Sequence, residues 1–184
     1  MEWISKNLPD DWLYSSMDDD FMIHVMKARD VINEAWKQAS DERWGEFPIL
    51  CMYRRGEDEI PVRDPKGIYK KWYINETIYK WHVFPAYCHG GMYTTSVRVS
   101  NDLFEISRVF PDLYLDDVWI TGILRHKMGM PDDMIIEPDV ELAIHYVGYT
   151  GNEKYGVREY LLEWERQIVT WTARNLTVCQ CFKS

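Results

Sequence analysis

Three features of the sequence predict an α/β domain. Short aromatic-rich or apolar segments, such as WLYSSM (12–17) and FPILCMYRR (47–55), have the composition of buried strands. Between them, apolar residues recur every three or four positions from Phe21 to Trp36, which is the spacing of one helix face. The chain has 184 residues, 46% of them hydrophobic, which is enough for one folded domain with a core. Strands and helices that mix along a chain are typical of the α/β class.

The first half of the chain is predicted to contain strands around one helix. WLYSSM ends at the aspartates of 18–20, and the helix that follows begins at Phe21 with Asp20 as its N-cap. The second strand, 47–55, leads into a polar loop over 56–67 that contains Pro and Gly. Residues 70–97 are aromatic and β-branched, and they predict extended segments around a glycine turn in FPAYCHGG.

Further elements are predicted towards the C-terminus. A helix covers 100–110 with Ser100 or Asn101 as its cap, and a turn followed by a helix covers 111–129 and ends near Gly129. A strand over 140–148 and an amphipathic helix over 155–173 complete the order. The sequence shows no repeat, low-complexity tract or linker, so residues 1–184 are predicted to form a single domain.

The charge of the chain excludes some classes of partner. A net charge of −9 and a pI near 5.0 leave no basic stripe to neutralise phosphates, so nucleic acid is not expected as a partner. An anionic substrate would need a metal ion or a local cluster of Lys and Arg. No apolar run reaches the roughly 18 residues of a membrane span, and the polar, acidic start does not match a secretory signal.

Two N-glycosylation tripeptides point instead to the secretory pathway. NET lies at 75–77 and NLT at 175–177, and both are meaningful only in that pathway, with chance occurrence as the alternative. The chain also has four cysteines, namely Cys51, Cys88, Cys179 and Cys181. Their spacing matches none of the paired-cysteine patterns that bind zinc. A disulfide through Cys88 is an option in an oxidising compartment, and the sequence leaves its partner open.

The acidic triplet Asp18, Asp19 and Asp20 lies between the predicted first strand and the helix. Ligands of open α/β sheets bind outside the carboxyl ends of strands, which is where the triplet is expected. Carboxylate oxygens suit Mg²⁺ and Mn²⁺, and Asp18 and Asp20, as alternate residues, can approach one ion. Such an ion would neutralise a departing diphosphate. The alternative, which the triplet alone favours, is a solvated capping turn.

Two other segments are candidates for chemistry. Asp116 and Asp117 open a predicted helix. Spacing alone favours Asp117 as a helix cap, and the alternative is that it acts as a general base towards a hydroxyl. In FPAYCHGGMYTTS, two adjacent glycines allow close backbone approach to a ligand. Flat, amphipathic side chains in the same segment suit packing on sugars: Tyr87, His89 and Tyr93. The alternative for this segment is a bend between strands.

Four motifs in order, SMDDDFM, KWYI, FPAYCHGGMY and PDLYLDDV, resemble the β-1,3-galactosyltransferase family of inverting glycosyltransferases (glycosyltransferase family 31). The resemblance covers roughly residues 10–130, and it implies the C-terminal portion of a GT-A-type, Rossmann-like α/β domain. It departs from the family pattern where Asp116 replaces the commoner Glu and where Met92 replaces a third glycine.

The resemblance also implies roles for individual residues. Asp18, Asp19 and Asp20 form the motif that binds Mn²⁺ (or Mg²⁺) and the diphosphate of a UDP-sugar, and Asp117 is the base that deprotonates the acceptor hydroxyl. His145 is implied as a further metal ligand. The remaining residues that the resemblance implies for donor and acceptor binding are Lys71, Trp72, Tyr87, His89, Gly90, Gly91 and Asp116.

The implied activity is transfer of a hexose or N-acetylhexosamine, galactose first, from a UDP-sugar to a glycan hydroxyl of a glycoprotein or glycolipid. The transfer inverts the anomeric centre and forms a β-1,3 linkage. The implied location is the lumenal side of the Golgi membrane, with membrane contact only through an anchor absent from this chain. Two alternatives stay open: a non-catalytic relative that binds sugar or a partner transferase, and a metal-dependent phosphohydrolase that uses the same aspartates.

The acidic motif comes within the first twenty residues, whereas in the family the first strands of the nucleotide-binding half precede it. The resemblance therefore predicts a partial catalytic domain over 1–184. A sheet without those strands would expose an edge and an apolar face. The 184-residue chain alone is accordingly expected to have little transferase activity and limited solubility.

Overall fold

The computed structural model describes residues 1–18, 21–23, 25–40, 47–56, 58–138 and 143–145. The strands are β1 (Leu13–Met17), β2 (Phe21–Ile23), β3 (Ile49–Arg55), β4 (Tyr87–Ser96), β5 (Ile135–Ile136) and β6 (Ala143–His145). The helices are α1 (Glu2–Asn7), α2 (Val25–Ser40), α3 (Val97–Ser107) and a π-helix (Val118–Leu124) that continues as α4 (Arg125–Lys127). Short 3₁₀ turns lie at Lys70–Trp72 and Asp132–Met134.

The main sheet has four strands in the order β1-β4-β3-β5, and β2 and β6 form a separate antiparallel pair. The long strand β4 is antiparallel to both of its neighbours, so β1 and β3 run in the same direction. Met17 at the end of β1 pairs with Met92, and Arg55 at the end of β3 pairs with Tyr87. The carboxyl ends of β1 and β3 therefore meet the first half of β4 at one edge of the sheet.

The hydrophobic core lies between β3, β4, α3 and the π-helix. Ile49, Val99 and Leu124 are fully buried there, as strand and helix residues of one cluster. On the other side of β3, Ile32 and Ala35 of α2 pack against a smaller cluster around Leu50. The predicted amphipathic face of this helix is thus the face that covers the sheet.

Two cross-links stabilise the region around the first half of β4. Cys51 and Cys88 form a disulfide between β3 and β4, which answers the open question of the partner of Cys88. The guanidinium of Arg63 donates hydrogen bonds to the backbone carbonyls of Ile74 (2.8 Å), Tyr79 (2.7 Å) and Trp81 (2.9 Å). These bonds tie the early part of the long connection between β3 and β4 to its later part, so the connection forms a closed loop. The connection contributes no strand to the main sheet.

Three predictions about local structure are wrong in detail. The helix after the acidic triplet begins at Val25, and Phe21 lies in β2, where it pairs with His145. The glycine segment is not a turn, because it lies within β4, a strand that pairs with β1 on one side and with β3 on the other. The cap of α3 is Ser96, whose side chain accepts a hydrogen bond from the amide of Val99, and not Ser100 or Asn101.

Other predictions agree with the structure or lie beyond it. The first two strands, the polar loop at 56–67 and the helical segment that ends near Gly129 are confirmed. Of the strand predicted over 140–148, the structure describes Ala143–His145 as β6. The helix predicted over 155–173 lies outside the described residues. Within the described ranges, none of the helices combines the length and apolar character that crossing a bilayer requires.

Candidate active site

A cleft of about 730 Å³ opens at the sheet edge where β1 and β3 end. Three predicted acidic residues line it, namely Asp18, Asp116 and Asp117. The other predicted residues that line it are Lys71, Trp72, His89, Gly90, Gly91 and Tyr93. Residues from four separate predicted segments therefore meet in one cavity of the size that small-molecule sites usually have.

Asp18 is fixed to β4 immediately after β1 ends. Its backbone amide donates a hydrogen bond to the carbonyl of Gly91 (2.8 Å), which continues the strand pairing by one residue. In return, the amide of Gly91 donates to Oδ2 of Asp18 (3.3 Å). Both the backbone and the carboxylate of Asp18 are thus hydrogen-bonded to Gly91, and these bonds hold the exposed carboxylate over the glycine segment.

Asp117 reaches the same glycine segment from the start of the π-helix. Its Oδ2 accepts a hydrogen bond from the amide of Gly90 (3.1 Å), and its Oδ1 accepts one from the amide of Val118 (2.7 Å). The side chain is half-buried. Burial raises the pKa of the Asp117 carboxyl above its ordinary value, and the two backbone hydrogen bonds oppose the effect without cancelling it.

Thr121, which the sequence did not single out, positions the Asp117 backbone. Its buried hydroxyl donates to the carbonyl of Asp117 (2.7 Å) and accepts from the amide of Cys88 (2.8 Å). One side chain therefore connects the first turn of the helix to β4. A Thr one helical turn after an Asp is a common pattern, so no sequence signal distinguished it.

The two carboxylates converge on Gly90. A Cβ built on this residue would lie 3.7 Å from Oδ2 of Asp18 and 3.9 Å from Oδ2 of Asp117. Glycine leaves this space open, which allows a ligand to approach the backbone between two acidic groups. The arrangement can take a proton from a bound hydroxyl and can also offer oxygen ligands to a cation.

Gly91 is required for a different reason. It has φ +93°, and a Cβ on it would lie 2.5 Å from Cζ of Phe21, which is too close for any real contact. The ring of Phe21 therefore packs directly on the backbone of Gly91, at the floor of the cleft. Met92, which replaces the family's third glycine, packs in a small cluster with Met52.

Several cleft residues were missed by the sequence analysis. Arg55, at the end of β3, lines the cleft together with Lys71, so two cations accompany the three predicted aspartates. Tyr53 and Tyr114 also line it, and each exposes a large part of its ring. The pair of arginines that closes FPILCMYRR was the available signal, but only the strand register shows that Arg55 faces the cleft.

Four predicted residues are not among those seen to line the cleft, and His145 is the last of them. Tyr87 is only 3% exposed and lies in the core, where its ring meets Phe84 edge-on and its Cβ lies close to Gly122. The prediction that Tyr87 lines the sugar site is therefore wrong for its side chain, because the π-helix covers that position of β4. Asp19 and Asp20 lie outside the described residues.

The backbone of His145 pairs with Phe21, a cleft residue, so its strand lies beside the cleft. Among the described residues, no three His, Cys, Asp or Glu side chains converge closely enough to hold a metal ion. The donor set nevertheless fits a hard cation, since Asp18 presents carboxylate oxygens and is followed directly by two more aspartates. The metal site stays a prediction.

Comparison with known proteins identifies relatives. A family model described as Galactosyltransferase matches residues 1–134. The chain is 27% identical over 135 residues to the lactosylceramide 1,3-N-acetyl-beta-D-glucosaminyltransferase of Mus musculus, covering 72% of this chain and 33% of that protein. It is 24% identical over 130 residues to the beta-1,3-galactosyltransferase 5 of Homo sapiens, covering 71% and 38%. The chain thus spans about a third of the length of the curated relatives it matches.

The matched region contains every described residue that lines the cleft, from Ser16 to Ile120. The mixed α/β fold, with its four-stranded sheet and its helices, is consistent with a partial glycosyltransferase domain. Because the family model covers well over half of the chain, the protein belongs to the galactosyltransferase family.

Proposed function

We propose that this chain is part of a UDP-sugar-dependent hexosyltransferase that transfers its sugar with inversion, and that 1–184 is one partial catalytic domain. The observation that carries the proposal is the placement of Asp117. Its carboxylate is half-buried, anchored by two backbone amides, and faces the open space at Gly90 opposite Asp18. A carboxylate held in this way at a cleft suits a general base.

Asp117 removes the proton of the acceptor hydroxyl as that oxygen attacks the anomeric carbon of the donor. The new C–O bond forms while the bond from the same carbon to the UDP oxygen breaks, and UDP leaves with the electron pair. The raised pKa of Asp117 makes it a stronger base than an exposed aspartate. The hydrogen bonds to its two oxygens orient it, so little reorganisation is needed when the hydroxyl arrives.

Arg55 and Lys71 would attract the diphosphate of the donor into an otherwise acidic cleft. Mn²⁺ or Mg²⁺, held by Asp18 with Asp19, Asp20 and His145, would supply charge neutralisation at the same diphosphate. The aromatic rings of Trp72 and Tyr114 are exposed at the cleft and would pack on the sugar faces. Asp116 and His89, which also line the cleft, would contact the donor or the acceptor.

The donor, linkage and acceptor are proposed from the family and the names of its members. One matched relative is named as a 1,3-N-acetylglucosaminyltransferase that acts on lactosylceramide, and another as a β-1,3-galactosyltransferase. We take galactose from UDP-galactose as the first candidate donor and a glycan hydroxyl of a glycoprotein or glycolipid as the acceptor. The Cys51–Cys88 disulfide supports a location in an oxidising lumen, and the Golgi is the proposed one.

The proposal is tested by UDP release and sugar transfer. The chain alone, and a version completed with the strands that its family places before the acidic motif, are incubated with UDP-galactose or UDP-N-acetylglucosamine and β-linked glycan acceptors, with Mn²⁺ or with a chelator. We expect metal-dependent transfer of one sugar to a 3-hydroxyl by the completed version, and little transfer by the 184-residue chain alone. Mass spectrometry and NMR identify the product. Metal-dependent UDP-sugar binding without transfer by the completed version would indicate a non-catalytic relative, and release of inorganic phosphate would indicate a phosphohydrolase.

A further inference from the structure

The tripeptide Asn75-Glu76-Thr77 lies on the outside of the closed connection between β3 and β4. All three residues are exposed. The residues on either side of the tripeptide anchor it, because Ile74 is fully buried and Tyr79 is 5% exposed. The chain therefore leaves the core, presents a short polar turn to solvent, and returns.

The turn presents the side-chain amide of Asn75 in a defined way. Its Oδ1 accepts hydrogen bonds from the amide (2.9 Å) and the hydroxyl (3.0 Å) of Thr77. Its backbone carbonyl accepts from the amides of Ile78 and Tyr79, each at 3.0 Å. Within the described part of the chain, the side-chain nitrogen Nδ2 donates no hydrogen bond, so a group attached to it would break no contact seen in the structure.

We propose that Asn75 is an N-glycosylation site of this protein. The donor is an oligosaccharide linked to a membrane lipid through a diphosphate. The Asn75 Nδ2 attacks the anomeric carbon of the first sugar, and a C–N bond forms while the bond from that carbon to the diphosphate oxygen breaks. The amide nitrogen loses one proton, and the lipid diphosphate leaves with the electron pair.

Two independent observations support this assignment over a chance tripeptide. The Cys51–Cys88 disulfide is typical of proteins that fold in the oxidising compartments where the modification takes place. The connection that carries Asn75 also exposes several large apolar side chains, with Ile68 88%, Ile78 61% and Trp81 51% exposed. A glycan at Asn75 would shield that surface from other proteins.

The glycan would lie beside the cleft without filling it. Trp72 lines the cleft, but Asn75 does not, and the buried Ile74 separates the two. Glycosylation at Asn75 is therefore compatible with sugar transfer at Asp117. The inference does not depend on catalysis, so it can be tested independently of the proposed function.

The test is expression of the 184-residue chain behind a cleavable secretory leader in eukaryotic cells. Asn175→Gln is introduced first, because it removes the other acceptor tripeptide. In that background, Asn75→Gln and Thr77→Ala remove the site, and Thr77→Ser keeps it as a matched control. The readouts are a glycosidase-sensitive mobility shift and mass spectrometry of the Asn75 peptide, in which enzymatic deglycosylation converts Asn to Asp.

We expect a shift in the parent and in Thr77→Ser, and its loss in Asn75→Gln and Thr77→Ala. An unmodified Asn75 peptide in secreted chain whose Cys51–Cys88 disulfide has formed would overturn the proposal. If the chain is retained by the cell, translation in the presence of microsomes replaces secretion, because the sugar is transferred as the chain emerges. Absence of the shift there would overturn the proposal equally.

Discussion

The amide of Gly90 donates a 3.1 Å hydrogen bond to Oδ2 of Asp117, and the two residues are 27 positions apart in the chain. The bond joins the middle of a sheet strand to the first turn of a helix. Because Gly90 also faces Oδ2 of Asp18, it is the point at which the acidic groups of the cleft are brought together. Each of the predictions below depends on this arrangement or on the cations around it.

In a complete version of the enzyme, Asp117→Asn is expected to lower turnover by about two to four orders of magnitude, the range for a positioned general base. The affinity for UDP-sugar should change little, because Asn keeps the shape of the side chain and its one oxygen can still accept one of the two backbone hydrogen bonds, from Gly90 or from Val118. Asp116→Asn is the matched control, since Asp116 is exposed and adjacent. Steady-state kinetics check the result, and a large loss in the control with none in Asp117→Asn would reverse the assignment.

The pH profile should show the raised pKa of Asp117. The base must be deprotonated to act, so activity falls as the pH drops through its pKa, and this fall should begin at a higher pH than for an ordinary aspartate. The effect on stability has the opposite sign. A raised carboxyl pKa means that the folded state binds the proton more tightly, so the contribution to folding is present below the unfolded pKa and is lost as pH rises through the folded pKa.

Thermal unfolding of the wild type and of Asp117→Asn across the acid range checks the stability effect. The difference in unfolding free energy between them should change in that window and be flat above it. The acid side of the activity profile is also compared between Asp117→Glu and the wild type, in which the site is intact. If the two profiles fall at the same pH, a group other than Asp117 controls the loss of activity.

Gly91→Ala is expected to destabilise the fold by about 1 to 3 kcal/mol, because a non-glycine residue would be forced into positive φ against the Phe21 ring. Gly90→Ala is the control, since its Cβ would meet nothing closer than 3.7 Å. The control should unfold near the wild-type midpoint yet bind donor more weakly, as its methyl group enters the space between the carboxylates. Urea unfolding and donor titration together distinguish the two effects.

Arg55→Ala should weaken UDP binding by about tenfold to a hundredfold, the loss expected for one hydrogen bond to a charged group. The loss should shrink at high salt, because screening weakens the attraction in the wild type. Arg54→Ala is the matched control from the neighbouring strand position, which does not line this cleft. Equal losses in both variants, measured by calorimetry, would mean that general surface charge and not Arg55 attracts the nucleotide.

Asp18→Ala is expected to abolish Mn²⁺-dependent UDP binding while the fold is retained. The side chain is exposed, so its removal should cost little stability, and the backbone bond from Asp18 to Gly91 does not need the carboxylate. Calorimetric titration with and without Mn²⁺ measures the binding. Unchanged metal-dependent binding in Asp18→Ala would contradict the proposed metal motif.

The sequence predicted elements well where local pattern decides them. The strand ending at Met17 and the helix face of Ile32 and Ala35 follow from composition and period, and both agree with the structure. Phe21 was misassigned because its spacing of four from Val25 suits a helix, whereas its actual contact is with Gly91, far along the chain. Such tertiary contacts leave no local signal.

The candidate site was predicted in part for the same reason. Motifs placed Asp18, Asp117 and the glycines together, and the structure finds their described members in one cleft. Tyr87 was misplaced because an aromatic residue in a strand gives no sign of which layer covers it. Arg55 was missed because its position at the cleft depends on strand register and on where the sheet ends.

The three carbonyl bonds of Arg63 have a consequence for protein engineering. Its guanidinium supplies hydrogen-bond donors to backbone carbonyls of the segment from Ile74 to Trp81, and those carbonyls supply its acceptors. Arg63 and this segment therefore each need the other. A chimera that exchanges this region between relatives must therefore transfer Arg63 and the segment from Ile74 to Trp81 together. A graft that carries only one of them would leave backbone carbonyls of the connection without their donor.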